Sequence, residues 1–321
     1  MRRIYAINKK VRVMGGKIYY GNKNHPLRGV YEVWTTLRNI DSRSLDILLR
    51  RRKLVYIFDR WGFRGLLLPF HTSYGLWSEK MTIAQARAYE DRKMRLRIAK
   101  EIVGAIMSNI SAVFHRYIRK SVGRDVVDEF RRRMRGAREC LKNSADDIML
   151  CEARAWRSLF YVLGAMYPDF RGRIRRPPSD PLNALISYIN SLLYAQCLHA
   201  ILLVGLDPMI SFVHEPSPRR RFSLPLDIKD IFMPYITIRL AVKLRNRWLG
   251  REKEFFVFTE RRGRTACYLN FSGRKIVVWE FRRAMRSRIG GDRLYNIIVR
   301  EVEKLGKFIV GGSHEYRAWR L

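Results

Sequence analysis

Residues 178 to 208 read PSDPLNALISYINSLLYAQCLHAILLVGLDP and contain the most apolar segment of the chain, Leu182–Val204. Asp180 followed by Pro181 is a favourable cap and first turn for a helix, and Gly205 is a favourable residue to end one. The sequence therefore predicts a long, buried helix that begins at this pair and runs to Gly205. Polar side chains interrupt the apolar run at 182–204, which argues against a membrane span.

The sequence on either side of this helix divides into a β-prone part and a helical part. Short β-prone stretches at 11–13, 17–20, 30–34, 54–58 and 64–68, with a short helix capped by Asp41 or Ser42, predict a small β region. From about Glu79 onward, runs rich in Ala, Leu, Ile and Arg predict long helices, and breaks at 262–263 and 272–273 predict a small hairpin among them. We therefore expect an α+β fold, with a small N-terminal β domain at 1–80 and a larger, mainly α-helical catalytic domain at 81–321.

The charge of the chain indicates the class of its partner. There are 64 Lys and Arg residues against 29 Asp and Glu, a net charge of +35, which is far more than solubility requires. Nucleic acid, a ribosome or an acidic membrane surface would each attract such a chain, and nucleic acid is favoured.

The four cysteines indicate the compartment. They show no CxxC spacing and three fall in helix-like sequence, so the sequence predicts neither a zinc site nor a disulfide framework. No apolar signal core follows the basic N-terminus, so we expect a protein of the reducing cytoplasm.

A carboxylate lies on an otherwise apolar helical stripe. A helix is predicted from Ser144 to the residues before Pro168, and it carries Met149, Glu152, Trp156, Leu159 and Leu163 at helical spacing. Because burying a lone carboxylate is costly without a cation or hydrogen-bond donors, Glu152 is either paired with an arginine or a ligand of a metal ion.

A histidine and two aspartates follow the long helix. His214 ends the apolar run at 209–213, and Asp227 and Asp230 are three residues apart, hence neighbours on one face of a helical turn. The two aspartates are typical either of a capped helix start or of a site for a divalent cation. Together with Glu152, these donors suit Mn²⁺ or Mg²⁺ better than metals that prefer thiolates.

These segments resemble, in the same order, those of the CRISPR-associated endonuclease and integrase family, the larger subunit of the spacer-acquisition complex. The resemblance is carried by Glu152–Ala155 with Leu159–Tyr161, by Pro178–Ala184, by Gly205–Pro208 with Phe212–His214, and by Ser223–Asp230. Weaker likenesses lie at 54–69 and at 268–270, so the resemblance spans most of the chain. Cys151, Ala153 and Met233 depart from the family's pattern, but the acids and the histidine remain.

The resemblance implies a function and a set of partners. It implies a metal-dependent DNA endonuclease and integrase that inserts spacer DNA into CRISPR arrays by transesterification at phosphorus. Its catalytic residues would be Glu152, His214, Asp227 and Asp230, and the Mn²⁺ or Mg²⁺ ligands Glu152, His214 and Asp230. It also implies double-stranded and branched DNA substrates, a homodimer, and a small CRISPR-associated partner subunit that completes a larger hetero-oligomer.

Two basic segments admit a DNA-binding interpretation, namely Arg175 with Arg176, and Arg219, Arg220 and Arg221 in the insertion after Pro216. Each would hold a DNA phosphate or would simply be solvated. Three rival functions remain open from the sequence: a transposon integrase of the same fold, a non-catalytic nucleic-acid-binding protein in which the acids are structural, and a metal-dependent nuclease that acts only in the repair of branched DNA.

Overall fold

A computed structural model describes residues 2–69, 79–143, 147–175, 177–214, 222–261 and 264–321. The N-terminal strands and their one α-helix are β1 Arg2–Tyr5, β2 Val11–Met14, β3 Lys17–Tyr20, β4 Lys23–Pro26, β5 Val30–Thr35, α1 Ser42–Arg50, β6 Leu54–Asp59 and β7 Gly62–Leu67. One sheet has the order β1-β5-β6-β7, with only the β6–β7 pair antiparallel, and β2, β3 and β4 form a separate antiparallel sheet.

The rest of the described chain is mainly helical, which confirms the α+β fold class. Its elements are α2 Glu79–Glu90, α3 Arg92–Val113, α4 Arg124–Asn143, α5 Ile148–Met166, α6 Pro181–Val204, α7 Leu224–Met233, α8 Arg239–Arg247, α9 Glu252–Phe255, β8 Phe256–Arg261, β9 Arg264–Leu269, α10 Phe271–Arg286, β10 Arg288–Ile289, β11 Asp292–Arg293 and α11 Leu294–Ile309. The predicted hairpin is confirmed as β8 and β9. The predicted break at 272–273 is wrong, since Asn270 caps α10 and both residues lie in its first turn.

Helix α6 is the central element of the helical part. The side chain of Asp180 accepts a hydrogen bond from the Asn183 backbone N–H at 2.8 Å, and Gly205 ends the helix with a left-handed φ of 93°. By length and composition α6 would suffice to cross a membrane, but 83% of its apolar window is buried inside the protein. Its apolar character is therefore that of a core helix, as the sequence predicted.

Helix α7 continues beyond its last residue into a wider turn. Pro234 has no backbone N–H to donate, and the chain passes through a π-helical turn, Pro234–Ile238, before α8 begins. The hydroxyl of Thr237 in this turn donates to the Asn190 side chain of α6 at 2.8 Å. This contact ties the end of α7 to the central helix.

The four-stranded sheet packs on both faces. Trp34, Tyr56 and Phe58 point into the same apolar core as the helices, whereas Val33 and Val55 pack with α1 in a smaller core. Gly62, at the start of β7, has a φ of 124°, and a Cβ atom there would lie 2.2 Å from the Ser191 hydroxyl of α6. The turn between β6 and β7 is therefore seated directly on the central helix.

A disulfide corrects one expectation from the sequence. Cys140 of α4 and Cys151 of α5 are bonded, with their Cα atoms 5.5 Å apart, while Cys197 and Cys267 are free and buried. The two cysteines are 11 residues apart in helical sequence, but α4 and α5 pack against each other, so their side chains meet between the helices. Cysteine spacing alone did not reveal this pairing, because it depends on how the two helices pack.

Candidate active site

Helix α5 places Glu152 in a nearly closed environment. The residue is only 6% exposed, and one turn later the indole N–H of Trp156 donates to its Oε1 at 3.0 Å. No arginine forms an ion pair with Glu152 among the described residues. The structure therefore gives no support for the alternative of a salt bridge to an arginine.

Asp227 organises the segment that carries the histidine. Its buried carboxylate accepts hydrogen bonds from the backbone N–H groups of Phe212, Val213 and His214, at 2.7, 3.0 and 3.1 Å. Asp227 does not cap α7, because Ser223 is at the N-cap position and Asp227 lies within the helix. Its role is to fix three consecutive residues of a segment without regular secondary structure.

The same carboxylate orients the His214 ring. Nδ1 of His214 lies 2.8 Å from Oδ1 of Asp227, and since an ionised carboxylate only accepts, Nδ1 carries the proton of this bond. The other ring nitrogen, Nε2, faces Asp230 at 4.0 Å from Oδ2. An imidazole held in this way presents Nε2 as a donor atom for a metal ion.

Lys229 is a member of the site that the sequence interpretation missed. Its ammonium contacts Oδ1 of Asp230, and about nine-tenths of its side chain is buried. Lys229 lies between Asp227 and Asp230 in the sequence. From the sequence alone, a lysine at such a position is expected on the solvent-exposed face of a helix. Only the packing of α7 reveals that it points inward.

Burial and mutual repulsion change the protonation of these groups. Burial, and then the nearby charge of Asp230, raise the pKa of Glu152 to about 7, against the lowering effects of His214, Trp156 and Lys229. For His214 burial lowers the pKa, but the hydrogen bond and charge of Asp227, with Asp230 and Glu152, outweigh it and bring the pKa to about 9. Two carboxyls that disfavour each other's charge are thus held beside an imidazole.

The donor set fits a hard divalent cation. Among the described residues, no group of three acids, histidines or cysteines stands at ligand distance as the side chains lie. Glu152, Asp230 and His214 nevertheless offer two carboxylates and one imidazole nitrogen, which Mn²⁺ and Mg²⁺ accept. A cation between the carboxylates would relieve the repulsion that raises the pKa of Glu152.

These residues line one large basic cleft with a volume of about 2290 Å³. Two acids, Glu152 and Asp230, lie among its described lining residues, together with Lys229 and seven arginines: Arg60, Arg64, Arg133, Arg157, Arg171, Arg173 and Arg175. Of the arginines named from the sequence, Arg175 is in this lining, while Arg176, Arg219, Arg220 and Arg221 lie outside the described residues.

Arg173 shows how the basic wall is built. Its guanidinium donates to the side chains of Asn183 at 2.8 Å and Ser187 at 2.9 Å, both on α6. Burial, and then the charge of Arg175, lower its pKa to about 9. A guanidinium that is costly to keep charged would be stabilised by an anion entering the cleft. The sequence signal for this residue was the Arg-Gly-Arg run at 171–173.

The chain is similar to known proteins over most of its length. Residues 11–283 match the family described as "CRISPR associated protein Cas1". A CRISPR-associated endonuclease Cas1 from Haloferax volcanii is 32% identical over 88% of this chain and 86% of its own length, and one from Thermodesulfovibrio yellowstonii is 30% identical over 99% and 100%. A solved Cas1 structure from Thermotoga maritima has a TM-score of 0.78 at 27% identity and covers 98% of this chain and all of its own. A casposase bound to its integration product shares the fold, with a TM-score of 0.74 at 21% identity over 98% of this chain and 91% of its own.

Proposed function

The chain belongs to the family of CRISPR-associated Cas1 proteins, and on this premise we propose that its cleft is the metal-dependent active site for inserting spacer DNA into CRISPR arrays. Its curated relatives are named endonucleases, and this chain is an enzyme of the same class. One observation carries the proposal: Glu152, His214 and Asp230 line a single cleft whose other charged lining residues are basic.

We assign the binding of Mn²⁺ or Mg²⁺ to the carboxylates of Glu152 and Asp230 and to Nε2 of His214. When bound, such an ion lowers the pKa of an attacking hydroxyl and offsets the charge that develops at phosphorus. Asp227 acts as a positioning residue, because it holds Nδ1 of His214 and the backbone N–H groups of Phe212, Val213 and His214. Lys229 supplies a further positive charge for a phosphate oxygen.

The reaction needs no covalent enzyme intermediate. The 3′ hydroxyl at a spacer end gives up its proton and attacks a phosphodiester of the repeat. A new P–O bond forms as the old one breaks, and the leaving 3′ oxygen takes up a proton. The protein's part is to align the two DNA strands and stabilise the charged transition state.

The arginines of the cleft hold the DNA backbone in this proposal. Double-stranded and branched DNA would both be bound mainly through phosphates, so the contacts would select geometry more than base sequence. Arg175 belongs to this set, and we extend the same role to Arg176 and to Arg219, Arg220 and Arg221.

Integration at both ends of a repeat requires two active sites, so we propose that the protein works as a homodimer in the cytoplasm. The strands at 1–80 would serve in dimerisation and packing, and the region at 81–321 would form the catalytic domain. A Cas6-RT-Cas1–Cas2 complex shares the fold with a TM-score of 0.81 at 16% identity, over 99% of this chain and 36% of its own. We propose a small Cas2-like subunit as the partner that links two such dimers.

The test is DNA joining and cleavage on a branched substrate that mimics a half-integrated spacer, with Mn²⁺ added to the purified protein. We expect the wild type to reseal or cleave the branch, and Glu152→Ala and His214→Ala to lose this reaction while still binding DNA. Glu139→Ala, an exposed acid on α4, is the matched control and should behave as the wild type. If the wild type is inert, or if the Glu152 and His214 variants remain active, the proposed function is wrong. The chain would then be a nucleic-acid-binding protein in which these acids are structural.

A further inference from the structure

The residue directly before Glu152 is one half of the disulfide. Cys151 is fully buried and is bonded to Cys140, which lies in the last turn of α4 and is partly exposed. Helix α5 begins only three residues before Cys151, at Ile148. The carboxylate that we assign to the metal ion is therefore close to a helix end, and a covalent bond ties that end to the neighbouring helix.

Apart from the disulfide, the first turn of α5 is weakly packed. Ile148 is buried, but Met149 and Leu150 are 44% and 41% exposed. The first backbone N–H groups of a helix have no partners within the helix, so helix ends open more readily than helix centres. Large buried side chains such as Leu159 come only later in α5. The disulfide therefore adds an anchor where the packing before Glu152 is weakest.

Helix α4, the other end of this anchor, is itself held in place. Arg133 lies two helical turns before Cys140 on the same face of α4, and its guanidinium carbon is 4.3 Å from the centre of the Tyr161 ring on α5. Phe130 of α4 stacks on Phe114, which directly follows α3, with ring centroids 3.8 Å apart. Because α4 is fixed to α3 and to the middle of α5, the disulfide holds the start of α5 against a rigid support.

Glu152 needs such a support because a like charge faces it. The negative charge of Asp230, on α7, disfavours a charged Glu152 beside it. The hydrogen bond from Trp156 does not oppose this repulsion, since Trp156 lies on the same helix as Glu152 and moves with it. The backbone position of the first turns of α5 thus decides how closely the two carboxylates can approach one ion.

We propose that Cys140 is a redox-dependent positioning residue for Glu152, which acts through the disulfide, so that the oxidised protein binds the divalent cation more tightly than the reduced protein. The proposal rests on the proposed function, because it assumes that Glu152 is a ligand of that ion. Disulfides in the cytoplasm are either stabilising bonds, as in proteins of hyperthermophiles, or bonds that respond to redox state. Only a redox-responsive bond predicts that reduction weakens the metal site.

The reductant in this proposal is a dithiol, and the exchange begins at Cys140, the more exposed of the two cysteines. One thiolate of the dithiol attacks the Cys140 sulfur, a mixed disulfide forms, and the Cys151 sulfur leaves and takes up a proton. The second thiolate of the dithiol then displaces the Cys140 sulfur, which is protonated in turn. The protein gains two electrons and ends with two thiols, and the dithiol is released as its disulfide.

The test measures Mn²⁺ binding in the absence of DNA. Electron paramagnetic resonance reports free Mn²⁺ in titrations of the oxidised wild type, of wild type reduced with dithiothreitol and then freed of it under argon, and of Cys140→Ser. We expect the reduced wild type and Cys140→Ser to bind Mn²⁺ roughly tenfold more weakly than the oxidised wild type, as when a group that orients a metal ligand is removed. Reoxidation should restore the affinity of the wild type, and the same treatments should leave Cys140→Ser unchanged.

Thermodynamic linkage supplies a second readout, which a purely stabilising bond would not change. If the disulfide tightens metal binding roughly tenfold, bound metal must favour the disulfide over the two thiols by the same factor. Mg²⁺ is used here, since it prefers oxygen ligands to thiolates. The protein is equilibrated in mixtures of reduced and oxidised dithiothreitol, with and without Mg²⁺, and its thiols are counted after denaturation. We expect saturating Mg²⁺ to shift the equilibrium constant roughly tenfold towards the disulfide.

A destabilised variant separates positioning from a general loss of stability. Leu48→Ala removes a fully buried side chain of α1 from the smaller core, and Leu48 is not among the described lining residues of the cleft. This variant should melt at a lower temperature, as Cys140→Ser should, yet bind Mn²⁺ like the wild type. All titrations are made below the melting temperatures of the variants.

Four outcomes would overturn the proposal. They are equal Mn²⁺ affinity in the oxidised, reduced and Cys140→Ser proteins, equal weakening in Leu48→Ala, and no effect of Mg²⁺ on the redox equilibrium. The fourth is four thiols in the unreduced wild type after denaturation, since only Cys197 and Cys267 should react there.

Failure of this proposal is distinguishable from failure of the proposed function, because Glu152→Ala is titrated alongside. If Glu152→Ala loses Mn²⁺ binding but reduction has no effect, the metal site stands and the role of the disulfide is wrong. If Mn²⁺ affinity depends on Glu152 and on the disulfide but the wild type never joins or cleaves DNA, the positioning role stands and the integrase function is wrong. If Glu152→Ala binds Mn²⁺ as tightly as the wild type, both are wrong.

Discussion

Removing the negative charge of Glu152 is expected to stabilise the protein when no divalent cation is present. Glu152 is buried beside Asp230, and burial together with that neighbour raises its pKa to about 7. In the unfolded chain the carboxyl titrates near 4.5. The substitution Glu152→Gln keeps the shape of the side chain and an oxygen that can accept from the Trp156 indole, but it removes the charge.

The magnitude follows from the two pKa values. Each pH unit between them is worth about 1.4 kcal/mol, so ionising Glu152 in the folded protein costs ~3 kcal/mol of unfolding free energy. Between pH 4.5 and about 7 the folded protein keeps a proton that the unfolded chain has released, so stability falls as the pH rises through this window. The wild type therefore carries the full cost at pH 8, and the glutamine variant does not.

The assay is thermal unfolding in EDTA at pH 8 and again at pH 5. At pH 8 we expect Glu152→Gln to melt about 5 °C above the wild type, and near pH 5 the difference should largely disappear. Added Mn²⁺ should stabilise the wild type and leave the variant nearly unchanged. Glu139→Gln on the surface of α4 is the control. A Glu152→Gln protein that is equally or less stable than the wild type at pH 8 in EDTA would refute this account of the site.

Three further outcomes are expected. The affinity for Mn²⁺ should rise from pH 6.5 to pH 8.5, because Glu152, with a pKa of about 7, and His214, with a pKa of about 9, must both lose protons to bind the ion. Calorimetry in two buffers measures the affinity and the protons released, and an affinity that does not change with pH would contradict this expectation. Cys140→Ser should lower the unfolding free energy by ~3 kcal/mol, and reductant should do the same to the wild type but not to the variant, as measured by urea unfolding. Arg171→Ala in the cleft should reduce the slope of log DNA affinity against log salt concentration by about 1, whereas Arg43→Ala on α1 should leave the slope unchanged. Equal slopes for the two variants would show that Arg171 does not contact DNA.

The fold was largely predictable because its signals are local. The cap at Asp180, the left-handed end at Gly205 and the continuous apolar sequence between them are all properties of neighbouring residues, and α6 forms as they indicate. The predicted start of α5 at Ser144 lies outside the described residues, and in the described part the helix begins at Ile148, after Asp147 at the N-cap position. Strands β1 and β4 were missed because their short, polar sequences lack the alternation of a half-buried strand.

The candidate site was predictable in its acids and its histidine but not in the way they are supported. Glu152 stood out as a carboxylate among apolar residues, and the structure buries it as that pattern indicated. The role of Asp227 was not accessible, because its partners are backbone N–H groups 13 to 15 residues earlier in the chain. Likewise, only tertiary packing brings Trp61, in the turn between β6 and β7, into the same cleft as the acids.

The arginine wall of the cleft also bears on how often one molecule can act. Under the proposed function, the seven arginines among the described lining residues would bind the joined strands as firmly as the substrates, since ligation leaves the number of phosphates unchanged. Dissociation of the product, and not bond formation, would then limit the turnover number at low ionic strength. Under the proposed function, slow dissociation would keep the protein on each finished junction.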